Sequence, residues 1–219
     1  FWVRDVARIV QSVRNPETTI VIDGYHSFMA VPLDLRPVAS RAFYLSGGYK
    51  YAMAGEGACF LHCPPGFHPR PVNTGWYAEF AELANRKQGA IGYAVTGDRF
   101  AGATFDPSGI YRLNAVLQWL DTDGLPVGEM RDYTHDLQHQ FVEDLGLKAR
   151  VDPRRLVTPM VQTARGRFLT FQTPDAQAIQ KDLAARNILT DARGDRLRIG
   201  FGIYHDTDDI EKLLHALKA

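Results

Sequence analysis

Lys50 stands in Ser46-Gly47-Gly48-Tyr49-Lys50-Tyr51, and Asp23, in Val21-Ile22-Asp23-Gly24-Tyr25-His26, precedes it across what reads as one strand-to-strand unit. A primary amine can form a Schiff base with an aldehyde. A carboxylate can keep a heteroaromatic ring nitrogen protonated, so that the ring withdraws electrons from a carbanion. An amine and a carboxylate so placed suit pyridoxal phosphate. Glycine, tyrosine and alanine surround Lys50, which predicts a desolvated amine, and the bland alternative is a solvated loop lysine. For Asp23 the bland alternative is a turn former before Gly24. The apolar Ile20, Val21 and Ile22 ahead of it predict a buried and therefore paired carboxylate.

The elements that must position these groups are legible as periodicity. Residues 18–23 read as a buried strand ending in Asp23, 41–46 as another ending just before Lys50, and 57–63 as a third. Ligands gather at the carboxyl ends of strands in open α/β sheets, which would put Asp23, His26 and Lys50 on one rim. Ahead of them, Val3, Val6, Ala7, Ile9, Val10 and Val13 follow helical spacing. Pro64-Pro65-Gly66 opens a loop running to Trp76. Ile110, Leu113, Val116, Leu117 and Leu120 mark an amphipathic helix that stops at Asp121-Thr122-Asp123-Gly124, and Leu125 to Leu145 reads as a second long helix. Strand, helix, strand, helix then recur over 167–171, 174–186, 196–203 and 208–217. That order predicts a small α+β domain over 125–219, with 1–124 as part of a larger one.

Composition narrows the function classes. At 219 residues with 45% hydrophobic and 23% charged content, the chain is an ordinary globular protein with enough apolar residues for a sizeable core. Twenty-five basic residues balance 25 acidic ones, so no net field favours nucleic acid or an anionic membrane. No apolar run approaches the roughly 20 residues that span a bilayer, and Phe1-Trp2-Val3-Arg4-Asp5 lacks the order of a signal peptide, so a cytoplasmic location is expected.

Two metal-like patterns are weak. Cys59 and Cys63 flank His62 in a strand-like stretch, where thiols commonly serve as small core residues, and no second cysteine pair exists. His135-Asp136-Leu137-Gln138-His139 places two histidines at i and i+4 on a helix, but without an evident third ligand it reads as a polar helix face. No metal is expected. Arg198, on the apolar Leu197-Arg198-Ile199-Gly200-Phe201, needs a carboxylate partner, because an unpaired guanidinium there would be costly.

The run from Asp23 to Trp76 resembles the class V aminotransferase superfamily of fold type I pyridoxal phosphate enzymes, and Tyr49-Lys50 and Gly75-Trp76 lean toward its kynureninase-like branch. The similarity continues through Asp191-Ala192-Arg193, Leu197-Arg198-Ile199-Gly200 and Tyr204-His205-Asp206-Thr207-Asp208-Asp209-Ile210. Each fragment is weak alone, and their shared order makes the match fairly specific.

The resemblance implies an α/β fold, mostly a parallel sheet with flanking helices, plus the small C-terminal domain. It also implies that an N-terminal portion carrying the phosphate loop and the ring-stacking residue is absent from this chain. By the same resemblance Lys50 holds the cofactor and shuttles the substrate Cα proton, Asp23 maintains the electron sink, His26 orients the ring and Tyr49 contacts the phosphate. Arg198 would hold the substrate α-carboxylate; its alternative is an ion pair with Asp191 or Asp195. Arg193 is read as structural. Trp76 and Thr104 match loop positions that reach the cofactor, often that of the neighbouring subunit, which implies a homodimer with shared sites. Gly102-Ala103-Thr104 departs from both the Gly-Thr-Pro of aminotransferase relatives and the Asn-containing kynureninase variant, so the reaction stays open. The absence of any cysteine after Cys63 disfavours sulfur abstraction. Aminotransfer on an α-amino acid is the leading expectation, kynureninase-like hydrolysis of a Cβ–Cγ bond the alternative, and a non-catalytic domain or partner subunit a third.

Overall fold

The structure is a computed structural model that describes residues 5–66, 69–85, 89 and 92–218, so Val3, at the start of the helical spacing, lies outside the described residues. Two compact units emerge: Asp5–Phe28 with Leu33–Asp123, and residues 29–32 with 124–218.

The first unit opens with α1 (Val6–Ser12), capped by the Asp5 carboxylate accepting from the Arg8 backbone N–H at 3.0 Å. Val10 is buried there against Val38 and Ala42, with Ile20, Ile22 and Leu35 packed around them. The sheet is β1 (Val21–Asp23), β2 (Phe43–Gly47) and β3 (Cys59–His62), in that order. β1 runs parallel to β2, pairing Asp23 with Leu45, and β3 runs antiparallel, pairing Cys59 with Gly47. Only the central strand is buried. Among the described residues β1 and β3 each have one neighbour, and Val21 is 55% exposed while Cys59, Phe60 and Leu61 are exposed too. The expectation of three buried strands therefore fails for two of them, and Cys59 is not a core thiol. An apolar run records that a strand can be covered on both faces, and it does not say how many strands flank it.

α2 (Ser108–Thr122) completes this unit. Its first turn presses on the chain after Lys50: a Cβ on Gly109 would lie 2.4 Å from the Gly57 carbonyl carbon, so glycine alone permits the approach. One turn along the helix Arg112 donates to the Ala54 carbonyl at 2.9 Å and to the Glu56 carbonyl.

The second unit contains α3 (Val127–Asp144), β4 (Phe168–Gln172), α4 (Ala176–Ala185), β5 (Asp191–Arg193), β6 (Arg196–Gly200) and α5 (Thr207–Lys218). Its sheet is antiparallel in the order β4-β6-β5. Leu169, Phe171, Leu197 and Ile199 bury one face of it against Phe141, Leu183, Leu213 and Leu217. β5 and β6 form a hairpin turning at Gly194, φ +58°, a left-handed conformation that glycine takes without strain. A reciprocal cap starts α5: Asp206 accepts from the Asp209 N–H at 3.1 Å, and Asp209 from the Asp206 N–H at 3.3 Å. No helix of the described residues is long and apolar enough to cross a membrane.

On α3 the expected polar face is corrected. His135 is 2% exposed, beside buried Thr134 and Gln138, whereas His139 is exposed. The polar side chains can go inward because backbone carbonyls take their protons, Thr134 at Met130 and Gln138 at Gly166. Burial first, then the nearby Arg165 and Arg131 guanidiniums, pushes the His135 imidazole down to about 4. Among the described residues no three His, Cys, Asp or Glu side chains gather in a way that could hold a metal ion.

Candidate active site

The turn after β1 builds the first half of the site. The Gly24 N–H donates to the Leu45 carbonyl at 2.8 Å, which continues the ladder one residue past the strand. The chain then reverses as the Ser27 and Phe28 N–H groups both donate to the Gly24 carbonyl at 2.9 Å. Gly24 is obligatory for packing. A Cβ there would stand 2.1 Å from Tyr44 Cζ, in the space the buried Tyr44 phenol fills, and the phenol is held by Ser27 Oγ at 3.1 Å. Burial raises this phenol above its ordinary value.

Asp23 ends the strand with its carboxylate exposed, contrary to the expectation of a buried group. Oδ1 accepts from the Tyr25 N–H at 3.0 Å, so the turn-forming role is realised, and Oδ2 has no hydrogen-bond donor among the described residues. The strand's apolar residues did not bury the carboxylate because β1 itself is an edge.

Lys50 follows β2 in a tight turn. The Gly48 N–H donates to the Ala58 carbonyl at 2.8 Å and the Ala54 N–H to the Gly48 carbonyl at 2.8 Å, so the chain on both sides of Lys50 is tied. Lys50 as a residue is half-buried, between the solvated loop lysine and the buried one expected. Nζ lies 2.9 Å from His26 Nε2, which joins the two turns directly. It also stands 5.5 Å from the ring centroids of both Tyr25 and Tyr49. The structure thus brings Lys50, His26 and Tyr49 together, with Asp23 at the head of the same turn.

Trp76 and Thr104 lie elsewhere on this unit. Their segments run side by side: the Tyr77 N–H donates to the Gly102 carbonyl at 3.0 Å, and a Cβ on Gly75 would meet the same oxygen at 2.6 Å. Trp76 is 49% exposed and packs on Tyr77 and Phe80, with ring centroids 4.7 and 5.4 Å away. Thr104 is exposed.

In the second unit Arg198 sits opposite Thr170 on one side and Asp191 on the other. Its Nη1 is 3.5 Å from Asp191 Oδ2, and its guanidinium lies over Phe168 at 5.8 Å. Asp191 also holds Arg193 at 3.2 Å. The carboxylate partner that an apolar strand demands is therefore supplied within the hairpin.

Two residues that support this site, Tyr25 and Arg112, were not among the candidates. Tyr25 stands between Asp23 and His26, and its place beside Lys50 depends on Gly47, far along the chain. Arg112 lies among the polar residues of an amphipathic helix, where a guanidinium carries no signal of its own. In the second unit Arg165 and Arg167 are 2% and 1% exposed, a burial that charged residue types do not announce.

Comparison with known proteins adds to this geometry. Residues 130–217 match the kynureninase C-terminal domain. A kynureninase of Deinococcus radiodurans is 28% identical over 223 residues, covering 98% of this chain and 52% of that protein. The chain spans about half the length of the curated relatives it matches. Among solved structures, the apo cysteine desulfurase of Thermococcus onnurineus superposes with a TM-score of 0.78 at 16% identity, over 98% of this chain and 55% of that one. A mutant of C-DES with glycine covalently linked to its pyridoxal phosphate cofactor superposes with a TM-score of 0.71 at 18% identity, over 98% and 64%. The chain therefore has the fold of these solved structures, the fold type I architecture, and its sequence is similar to that of kynureninases.

Proposed function

We propose that the chain forms part of a pyridoxal phosphate enzyme acting on an α-amino acid, with kynureninase-like hydrolysis of a Cβ–Cγ bond as its reaction. The observation that carries the cofactor reading is the 2.9 Å approach of Lys50 Nζ to His26 Nε2, one turn from an exposed Asp23 carboxylate. These groups fit the cofactor. The amine of half-buried Lys50 suits an aldehyde carbon, Asp23 Oδ2 is available to a ring N–H, and the imidazole lies between the two turns. Bound pyridoxal phosphate supplies a ring that accommodates the electron pair left when a bond at the substrate Cα breaks.

This chain's residues do the rest. Lys50 provides the covalent anchor and, once released from it, the base that takes the Cα proton and returns it. Asp23 accepts the ring N–H and by its charge keeps that nitrogen protonated. His26 orients the amine and the ring, and Tyr49 offers its hydroxyl to the phosphate. Arg198 grips the substrate α-carboxylate with its planar fork. Trp76 and Thr104 serve the neighbouring site of a homodimer.

Hydrolysis is favoured over aminotransfer by the kynureninase character of residues 130–217. Aminotransfer remains the second reading because Gly102-Ala103-Thr104 matches neither branch. The test is borohydride reduction of the protein loaded with pyridoxal phosphate, followed by peptide mapping, together with parallel assays for anthranilate release from kynurenine and for amino transfer to a keto acid. A pyridoxyl group on Lys181 rather than Lys50 would refute the site. Keto-acid turnover without anthranilate would reverse the choice of reaction.

A further inference from the structure

Tyr25 stands beside Lys50 with no task in the scheme above. Its ring and that of Tyr49 each lie 5.5 Å from Lys50 Nζ, and the two rings are 5.3 Å apart, tilted by 49°. With His26 at 2.9 Å, the amine faces two π surfaces and an imidazole. The ring position is built into the sheet. Gly47 leaves room for it, since a Cβ there would be 2.8 Å from Tyr25 Cε1. Cys59, the register partner of Gly47, then meets the Tyr25 hydroxyl at 3.2 Å. Tyr25 thus lies across the end of β2 and is fastened on the far side. The hydrogen bond to Cys59, then burial, pushes its phenol up to about 12, so the ring stays neutral.

We propose that Tyr25 is a positioning residue that holds the Lys50 ammonium whenever the amine is not covalently engaged. An aromatic face attracts an ammonium ion within about 6 Å of its centroid. A lysine displaced by substrate has four methylenes of freedom, and once it has taken the Cα proton and become an ammonium it would otherwise drift from the atom to which it must return that proton. The cradle limits that drift. This inference rests on reading Lys50 as the anchoring amine.

The test has a cofactor-free arm and a loaded arm, both on the full protein. In protein carrying 13C-labelled lysine, the Lys50 ε-methylene, assigned by its loss in Lys50→Arg, should be shifted by the ring currents. The shift should survive in Tyr25→Phe and fall in Tyr25→Leu to what the Tyr49 ring alone supplies. In the loaded arm, the equilibrium constant for the pyridoxal phosphate adduct at Lys50, at fixed pH, should be unchanged in Tyr25→Phe. It should rise about two- to fivefold in Tyr25→Leu, because the free ammonium has lost its partner. Tyr25→Met serves in the same way if the leucine variant does not fold. An unmoved ε-methylene, or an adduct constant that stays level or falls in Tyr25→Leu, overturns the proposal. If the wild-type adduct maps elsewhere than Lys50, the cofactor reading fails and this proposal with it, whereas an adduct on Lys50 that ignores Tyr25 sinks this proposal alone.

Discussion

Lys50 Nζ and His26 Nε2 are 2.9 Å apart, although 24 residues and a whole strand connection separate them. Each group can donate to the other, so the pair fixes the direction of the amine as well as its place.

His26→Ala should slow borohydride-trapped attachment of pyridoxal phosphate at Lys50 by about two- to tenfold, the equivalent of one ordinary hydrogen bond. His26→Gln, which keeps a hydrogen-bonding group, should lose less. Stopped-flow absorbance of attachment in the three proteins decides this, and equal rates would reduce the contact to coincidence.

Arg198→Lys should weaken α-amino acid substrates by roughly 1–3 kcal/mol, since a point charge replaces a fork that grips a carboxylate in two places. The corresponding amines, which lack the carboxylate, should be unaffected. If both classes suffer equally, Arg198 belongs only to its ion pair with Asp191.

A homodimer with shared sites predicts complementation. Mixing a Lys50 variant with a Trp76 or Thr104 variant should restore part of the activity, because one site of each hybrid is intact. Full activity in a protein that sediments as a monomer would contradict this.

Gly24→Ala should destabilise the first unit by on the order of 1–3 kcal/mol, because its Cβ would stand 2.1 Å from Tyr44 Cζ. Tyr44→Leu in the same chain should recover part of the loss. Urea titrations of the single and double variants measure the coupling, and strictly additive losses would show that the clash is relieved another way.

His135 gives the second unit an acid sensitivity. Its folded value, about 4, lies below the ordinary 6.5, so the unfolded chain binds a proton that the folded one refuses. The stability this contributes is fully present above 6.5 and is lost as pH falls from there toward 4. Between pH 7 and pH 5 the loss should be about 2 kcal/mol, read from urea midpoints, and His135→Leu should lack that slope.

Much of this architecture was legible because periodicity reports local structure well. The spacing from Ile110 to Leu120 gave α2, the run from Leu125 gave α3, and Leu197 to Ile199 gave β6, each within a few residues. What failed was burial. Val21 and Phe60 are as apolar as Phe43, yet they lie on the two outer strands of the described sheet and Phe43 on the central one, and no single strand encodes its neighbours. β5 went unread because Asp191-Ala192-Arg193 has only one apolar residue; hairpin pairing with β6 makes it a strand. In the site, Asp23, His26 and Lys50 were readable from residue type and order. Tyr25 was not, because its task depends on the absent Cβ of Gly47, 22 positions later.

The contact of Gly109 with Gly57, and the Arg112 bonds just before it, bear on how the lysine can work. A helix end resting on the chain four to eight residues past Lys50 makes that peptide a fixed mount, with β2 as the other support. Motion is left to the side chain, a boom of known length swinging from a stationary post. The amine can leave one bonding partner and return to it without the backbone keeping any record of the excursion.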